Sequence, residues 1–350
     1  MQRGSSPRPI IKYITTSTDG VNWIKIGDMP HFGRIVTSTE EKITREGAKK
    51  SRLVKKGDLI LSNSMSYGLP YIMGIDGYIH DGWFVLKDFE DTFDKDYLCN
   101  LLISSAIQNQ YKRLAAGGVV QNISSDLVNS VSVSIPLMEE QKKISSLLNL
   151  IDDRIATQNK IIDNLQSLIR GIRNEVFGKL RKTVGFNAII GDVLSYEQPQ
   201  SYIVEDTEYT NEGTPVLTAN KAFVLGYTSE TDGVYDKGDC IIFDDFTLDC
   251  KYVDFSFKVK SSAIKILTAK NKELLRYTFE FLKHLDLSTD EHKRHYIAET
   301  QNQSFILPNA EMIEIIAHTF SALSLQMQYA IKQRNKHEEQ KLYLLRQMFI

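Results

Sequence analysis

The chain has 350 residues, 42% of them hydrophobic and 25% charged, with a formal net charge of −2. This is the composition of a globular protein with length for two or three domains, each with an ordinary core. No run of about 18 apolar residues occurs and the start MQRGSSPRPI lacks an apolar stretch, so neither a membrane span nor export is expected, and the location is cytoplasmic. Cys99, Cys240 and Cys250 are odd in number and lack metal-ligand spacing, so three free thiols and no metal site are expected.

A near-neutral total weighs mildly against a nucleic-acid binder. Its distribution matters more. Residues 1–56 hold 12 Lys or Arg against 5 Asp or Glu, whereas residues 76–96 hold 7 acidic residues against Lys87 and Lys95. Such segregation permits one basic face on a neutral molecule.

In chain order, short β-type runs come first: VNWIKI, GDLILS, GWFVL and VSVSIP. A long amphipathic stretch follows Pro136. The runs TPVLTA, GDCIIF, SSAIKIL and SFILP then lead to Pro308 and a second long amphipathic stretch. The chain is thus built twice over. Lys56-Gly57-Asp58 matches Lys237-Gly238-Asp239 at an offset of 181, DYLCNLL matches ELLRYTF at 177, and the prolines match at 172. The falling offset means shorter loops on a shared scaffold in the second copy. The second copy also has a lead-in, FNAIIGDVLSYEQPQSYIV, whereas the first begins almost at once with RGSSPRPI.

In the first long stretch Ile144, Leu148, Ile151, Ile155, Gln158, Ile162, Leu165, Ile169, Ile172 and Val176 alternate spacings of four and three, the seam of a coiled coil. The second keeps the seam through Ile316, Phe320, Leu323, Met327 and Ala330, loses it across Lys332 to Lys341, and recovers it at Leu342, Leu345 and Phe349. The cheapest partner for each helix is the other, packed antiparallel. The expected fold is therefore α+β: two mixed domains, at 1–135 and 183–307, separated by spacer helices at 136–182 and 308–350, with a pseudo-two-fold internal repeat.

No phosphate loop, Gly-rich cofactor loop, nucleophile elbow or methyltransferase tetrapeptide of the NPPY or DPPY kind occurs. In FDDFTLDCK, the residues Asp244, Asp245, Asp249 and Lys251 resemble a metal-dependent nuclease site, but they sit too close together to come from separate strands. The stronger signals are two basic loops upstream of the closing runs. Lys112, Arg113, Gln121 and Asn122 in the first copy, with His292, Lys293, Arg294, His295 and Tyr296 in the second, are side chains of the types that contact phosphates and base edges. Gly117 and Gly118 would let backbone approach a ligand. Asn63, Ser64, Ser66 and Tyr67 after the first Lys-Gly-Asp strand, Thr247 and Lys251 after the second, and Asn220 and Lys221 are further candidates.

These features together resemble the DNA-specificity subunits of Type I restriction-modification enzymes. The resemblance is carried by IPLMEEQKKISSLLNLIDDRI, by the terminal LLRQMFI, and by RGSSPRP…GVNWIKIGD…KKGDLILSNS, which adds Arg3, Ser5, Ser6 and Arg8 to the candidates. It implies a non-catalytic subunit with two target-recognition domains, each reading half of a split sequence in double-stranded DNA. It also implies two methyltransferase subunits and motor-nuclease restriction subunits as partners. S-adenosylmethionine, ATP and Mg would sit on those partners and none on this chain. Family members usually have a lead-in before RGSSPRP, so a first domain shortened at its amino end is expected. The second spacer has Glu311-Met312 in place of Glu-Gln, so a modified methyltransferase contact is expected. The alternative readings are a coiled-coil protein-interaction scaffold that binds no DNA and a stand-alone nuclease using FDDFTLDCK.

Overall fold

A computed structural model describes residues 1–30, 33–63, 68–114, 123–218, 222–289 and 293–349. It divides into two compact units, Met1–Lys160 with Ala330–Ile350, and Ile161–Tyr329. No helix among the described residues is long and apolar enough to cross a membrane. The three cysteines are free and buried.

Unit 1 contains strands β1 (Gln2–Arg3), β2 (Ile14–Thr15), β3 (Val21–Ile24), β4 (Ile35–Val36), β5 (Glu41–Ile43), β6 (Arg52–Val54), β7 (Leu59–Ser62), β8 (Pro70–Met73), β9 (Gly77–Ile79) and β10 (Trp83–Leu86). They form two sheets, ordered β1-β10-β7-β8-β4 and β2-β5-β3-β9-β6. Helices α1 (Arg45–Ala48), α2 (Lys95–Ile103), α3 (Ser105–Leu114) and α4 (Ser125–Asn129) belong to the same unit, and α5 (Met138–Thr183) runs on into unit 2. There β11 (Ala188–Ile189), α6 (Ile190–Val193), β12 (Leu194–Glu197), β13 (Thr214–Leu217), β14 (Val224–Thr228), β15 (Cys240–Asp244), β16 (Cys250–Val253), β17 (Lys258–Val259), β18 (Ile264–Ala269), α7 (Lys272–Leu285), β19 (Ser304–Phe305) and α8 (Ala310–Met348) follow.

The two units repeat one topology. In unit 1 β7 lies between β10 and β8, both antiparallel to it; in unit 2 β15 lies between β18 and β16 in the same way. The second sheets match as well, with β3 antiparallel to β5 and parallel to β9, and β13 antiparallel to β14 and parallel to β17. Each central strand is launched by the same device. Gly57 and Gly238, the middle residues of the two Lys-Gly-Asp triplets, both have φ +92°, a backbone conformation that glycine reaches without a Cβ penalty. The helices that follow are capped alike. Asp94 accepts from the Tyr97 amide at 2.9 Å and Asn271 from the Leu274 amide at 2.8 Å, each satisfying a donor that the helix start leaves open.

Acidic Glu139 and Glu140 open α5, and basic Arg181 and Lys182 close it, matching the helix dipole at both ends. Its apolar stripe faces inward. Leu148, Ile151 and Ile162 are buried, and Ile144, Ile155, Leu165, Ile169, Ile172 and Val176 are half-buried. On α8, Ile316, Phe320, Ala330, Leu345 and Phe349 are buried, with Leu323 and Met327 half-buried. Two expectations need correction here. Leu342 is 55% exposed, because the inward stripe does not lapse between Lys332 and Lys341 but continues through half-buried Arg334, His337 and Lys341 to Leu345. The periodicity of α8 is kept while its chemistry turns polar. Second, VSVSIP forms no strand although its counterpart SFILP does: Val133 and Ile135 are exposed, whereas β19 is paired with β11.

Gln141 of the Glu-Gln pair is 1% exposed. It accepts from the Asp94 amide at 2.9 Å and donates to the Thr92 and Pro136 carbonyls at 3.0 and 3.1 Å, so it ties the start of α5 to the start of α2. Buried, it offers no surface to a partner. At the offset that relates Pro136 to Pro308 the Glu-Gln pair aligns with Met312-Ile313, one position beyond the expected Glu311-Met312, so the counterpart of Gln141 is the buried Ile313.

A Cβ on Gly57 meets only the flexible end of Lys95, at 3.9 Å, and one on Gly238 meets nothing within 4 Å, so backbone strain alone governs a substitution there. Gly57→Ala and Gly238→Ala are each expected to lower unfolding stability by about 1–3 kcal/mol. Denaturant titration of the two single variants checks this, and the losses should be similar.

Candidate nucleic-acid interface

In unit 1 the candidates near the amino terminus converge on one turn. Ser6 Oγ donates to the Asp81 carboxylate at 2.8 Å, Arg8 donates to its other oxygen at 3.1 Å, and Arg3 Nε donates to the Asp81 carbonyl at 3.1 Å. Asn63 Nδ2 donates to the same carbonyl at 2.9 Å. The Ser6 hydroxyl, working against partial desolvation, holds the Asp81 carboxyl below the usual carboxylate range, with Arg8 adding to the effect. Ser5 is fixed through its backbone, donating to the Ile79 carbonyl at 3.2 Å. Arg8 keeps 82% of its side chain exposed, so one carboxylate contact leaves most of its guanidinium facing solvent. Asn63 is 4% exposed and shapes the turn rather than facing outward, which removes it from the contact candidates.

The same ties recur in both units. The Asn63 amide donates to the Gly82 carbonyl at 2.9 Å, and the Ile123 amide donates to the Asn63 carbonyl at 2.8 Å. In unit 2 the Asp245 amide donates to the Ala263 carbonyl at 2.9 Å, and the His295 amide donates to the Asp245 carbonyl at 3.1 Å. Gly82 and Ala263 are related by the same offset as the two Lys-Gly-Asp triplets, and Ile123 and His295 by the offset of the two prolines. Each unit thus gathers the end of its central strand, the start of a neighbouring strand and the exit of its basic segment at one place. In unit 1 Gly68 completes the cluster: a Cβ there would lie 3.0 Å from the Tyr111 ring and 3.2 Å from Ile123.

Ser64, Ser66, Tyr67, Gln121, Asn122, Asn220, Lys221 and His292, with Gly117 and Gly118, lie outside the described residues. Lys112 and Arg113 are exposed in the last turn of α3, not in a loop. Ile107 and Tyr111, both buried at i and i+4, carry the helix past the expected loop start.

In unit 2 Thr247 is exposed at the turn between β15 and β16, its amide donating to the Asp244 carboxylate at 2.9 Å. Lys251 and Lys283 pair with Asp249 at 3.0 and 3.1 Å and hold its carboxyl low against the upward push of burial. Lys293 pairs with Glu299 at 2.9 Å. Among the described residues Lys112, Arg113 and Arg294 make no ion pair. His295 and Tyr296 need correction: at 1% and 0% exposure they belong to the core and cannot face a ligand. Their amides donate to the Asp245 carboxylate at 3.1 and 2.8 Å, and the Tyr296 ring packs edge-on against Phe243. Asp245 also pairs with Lys265 at 3.2 Å, both 1% exposed. The acidic run FDDFTLDCK is thereby used up in turns and ion pairs. Among the described residues no group of three or more His, Cys, Asp or Glu could hold a metal. Asp81 and Asp245 organise these clusters; sequence reasoning passes over the first and considers the second only within a nuclease likeness that it sets aside. Their signals are the Asp-Gly turn at Asp81 and the carboxylate that follows an apolar strand at Asp245.

Residues 8–167 match the family described as the Type I restriction modification DNA specificity domain. The chain is 38% identical over 165 residues to the EcoR124I/EcoR124II specificity subunit of Escherichia coli, covering 42% of this chain and 41% of that protein. It is 26% identical over 182 residues to the MjaVIII specificity subunit of Methanocaldococcus jannaschii, covering 49% of this chain and 42% of that one. The matches therefore span less than half the length of these relatives. Among solved structures, a Type I restriction-modification S subunit from M. genitalium aligns over 99% of this chain and 96% of its own, with a TM-score of 0.61 at 13% identity. A chain from a study of assembly and conformational transition in a Type I system aligns over 99% and 93%, with a TM-score of 0.53 at 14% identity. At those identities the likeness is one of fold.

Asp245→Ala leaves Lys265 buried without its carboxylate, so a loss of about 3–5 kcal/mol is expected. Amide exchange at His295 and Tyr296 should quicken with it. Arg294→Ala, on the exposed side of the same segment, should stay within about 0.5 kcal/mol of the parent. Thermal melts with site-resolved exchange separate the two.

Proposed function

We propose that this chain, whose residues 8–167 match the Type I restriction modification DNA specificity domain, is the non-catalytic DNA-reading subunit of a Type I restriction-modification complex. It reads a split target in double-stranded DNA, one half with each unit. The observation that carries this reading is the matched gathering of strand ends and basic segments in both units, with exposed Lys112 and Arg113 in one and Arg294 in the other making no ion pair among the described residues. Cations of this kind are those able to neutralise phosphates. Methyltransferase subunits, two by the repeat, and restriction subunits are its partners; S-adenosylmethionine, ATP and Mg reside on them.

The long helices act as the spacer between the half-sites. Asp152 meets Lys341 within unit 1, and Arg173 lies over the Phe320 ring within unit 2. Going forward along α5 from Asp152 to Arg173 covers as many positions as going back along α8 from Lys341 to Phe320, the register of an antiparallel pair. A scaffold that binds no DNA is the reading a near-neutral charge would favour, and salt-sensitive duplex binding separates the two.

Replacing Lys112 and Arg113 by Ala should weaken duplex binding in one half-site, and Arg294→Ala in the other. Each lost phosphate contact should reduce the slope of log affinity against log salt by about 1. Titrations at several salt concentrations read this, and unchanged slopes in both variants would remove these residues from the interface. Matched four-residue insertions after Gln158 in α5 and after Arg334 in α8 should add about 6 Å at 1.5 Å per residue. Methylome sequencing should then show the unread gap widened and both half-sites kept. An active assembly with the old gap would refute the spacer reading.

A further inference from the structure

Each unit carries a cavity at the same place in its fold. In unit 1 it measures about 180 Å³ and its wall includes Tyr71, Cys99, Asp152 and Lys341; in unit 2 it measures about 580 Å³ and its wall includes Tyr252, Arg276, Ser324 and Ile169. These residues correspond in that order. Tyr71 and Tyr252 share the offset of the Lys-Gly-Asp triplets and the same pairing register, opposite Ile60 and Ile241. Cys99 and Arg276 share the offset of the helices that follow. Asp152 and Ser324, like Ile169 and Lys341, are related by the offset of the prolines.

What differs is the chemistry of the wall. In unit 1 the long helix supplies a carboxylate, Asp152, which pairs with Arg34 at 3.0 Å and with Lys341. In unit 2 the equivalent helix position carries only the hydroxyl of Ser324, to which Arg276 donates. The hydrogen bonds of Arg276 all run through Nη2, to Glu280, to the Phe320 carbonyl and to Ser324. Its Nε is buried without a partner, a cost that stands until an acceptor reaches the guanidinium. Among the described residues Glu280 is the one carboxylate that pairs with Arg276, and Arg173 shares it, so two guanidiniums stand against one carboxylate. Asp239, Asp254 and Glu273 also line the cavity, but Asp239 accepts from the Tyr252 hydroxyl at 2.7 Å, and none of the three forms an ion pair with Arg276 among the described residues. The guanidinium lies 5.0 and 5.4 Å from the ring centroids of Tyr252 and Phe279, and Phe223 lines the wall as well. A guanidinium suits a planar carboxylate, and a cavity of this size with aromatic walls and few convergent polar groups suits a small ligand.

We propose that the unit 2 cavity binds a small aromatic carboxylate from solution. Its carboxylate takes the place beside Ser324 that Asp152 holds in unit 1, and its ring lies against Tyr252, Phe279 and Phe223. The site is independent of the DNA reading above. The test titrates the full chain with phenylacetate and with phenylacetamide, which has the same shape without the charge. Phenylacetate should bind saturably, one to one, and raise the melting temperature. Phenylacetamide should bind at least about tenfold more weakly, the loss expected when a hydrogen bond is no longer assisted by charge. Ser324→Asp supplies the carboxylate from the chain itself, so this variant should bind phenylacetate at least about tenfold more weakly than the parent. Its melting temperature at neutral pH should exceed that of Ser324→Asn, equal in size but uncharged. The gap should close as pH falls through the carboxylate range, where the introduced group takes up a proton. Position 324 is half-buried on α8, and a melting curve as cooperative as the parent's shows that each variant is folded. No saturable binding of phenylacetate, equal binding of phenylacetamide, or undiminished binding of phenylacetate to the Ser324→Asp variant would each overturn the proposal.

Discussion

A carboxylate held between two cations fastens the long helices to each globular part. In unit 2 it is Glu280 of α7, reached by Arg173 of α5 and by Arg276, each at 2.7 Å. Arg276 goes on to donate to the Phe320 carbonyl and the Ser324 hydroxyl of α8. In unit 1 it is Asp152 of α5, lying between Arg34 and Lys341 of α8, and Arg34 also donates to Asn100 of α2 at 3.0 Å. A charge taken from water and left alone costs several kcal/mol, whereas the intact pair adds little net stability. Such networks therefore fix geometry more than they hold the fold together. The sheets of each unit are set against helices positioned in this way.

The two fastenings differ in depth. Glu280 is 1% exposed and Arg173 15%, while Arg34 and Asp152 are 16% and 29% exposed. Water and salt screen the unit 1 network more, so the apolar contacts of Leu148, Leu345 and Phe349 with Tyr97 and its neighbours carry a larger share there. In unit 2 Phe177 packs tilted against Tyr277 and edge-on against Phe281, and the ion network sits beside this cluster. One topology is thus secured by two different mixtures of forces.

The helices and the repeat are legible in the sequence because spacing of four and three is imposed directly by the helix period, and because Lys-Gly-Asp triplets mark a backbone that only glycine enters easily. Legibility ends where composition stands in for burial. His295 and Tyr296 look like part of a basic loop, but Asp245, far away in sequence, draws their amides into the core. Leu342 looks like a seam residue because it is apolar, but the inward position falls to Lys341, whose ammonium has Asp152 to meet. VSVSIP reads as a strand, and its failure to become one is a matter of partners, which no local pattern reports. Lys112 and Arg113 have the composition of a loop, yet the spacing of Ile107 and Tyr111 already carries the helix through them.

The hydrogen bonds between residues 63 and 123, and between 245 and 295, act as clasps that join the end of each central strand to a residue far along the chain. Each bond encloses core of its own unit: residues 64–122 contain β8 to β10, α2 and α3, and residues 246–294 contain β16 to β18 and α7. Contacts between positions so far apart in sequence are rewarded only after the chain between them is in place. Each clasp is therefore a late mark that its unit has closed, and a change that loosens it is felt by the whole unit.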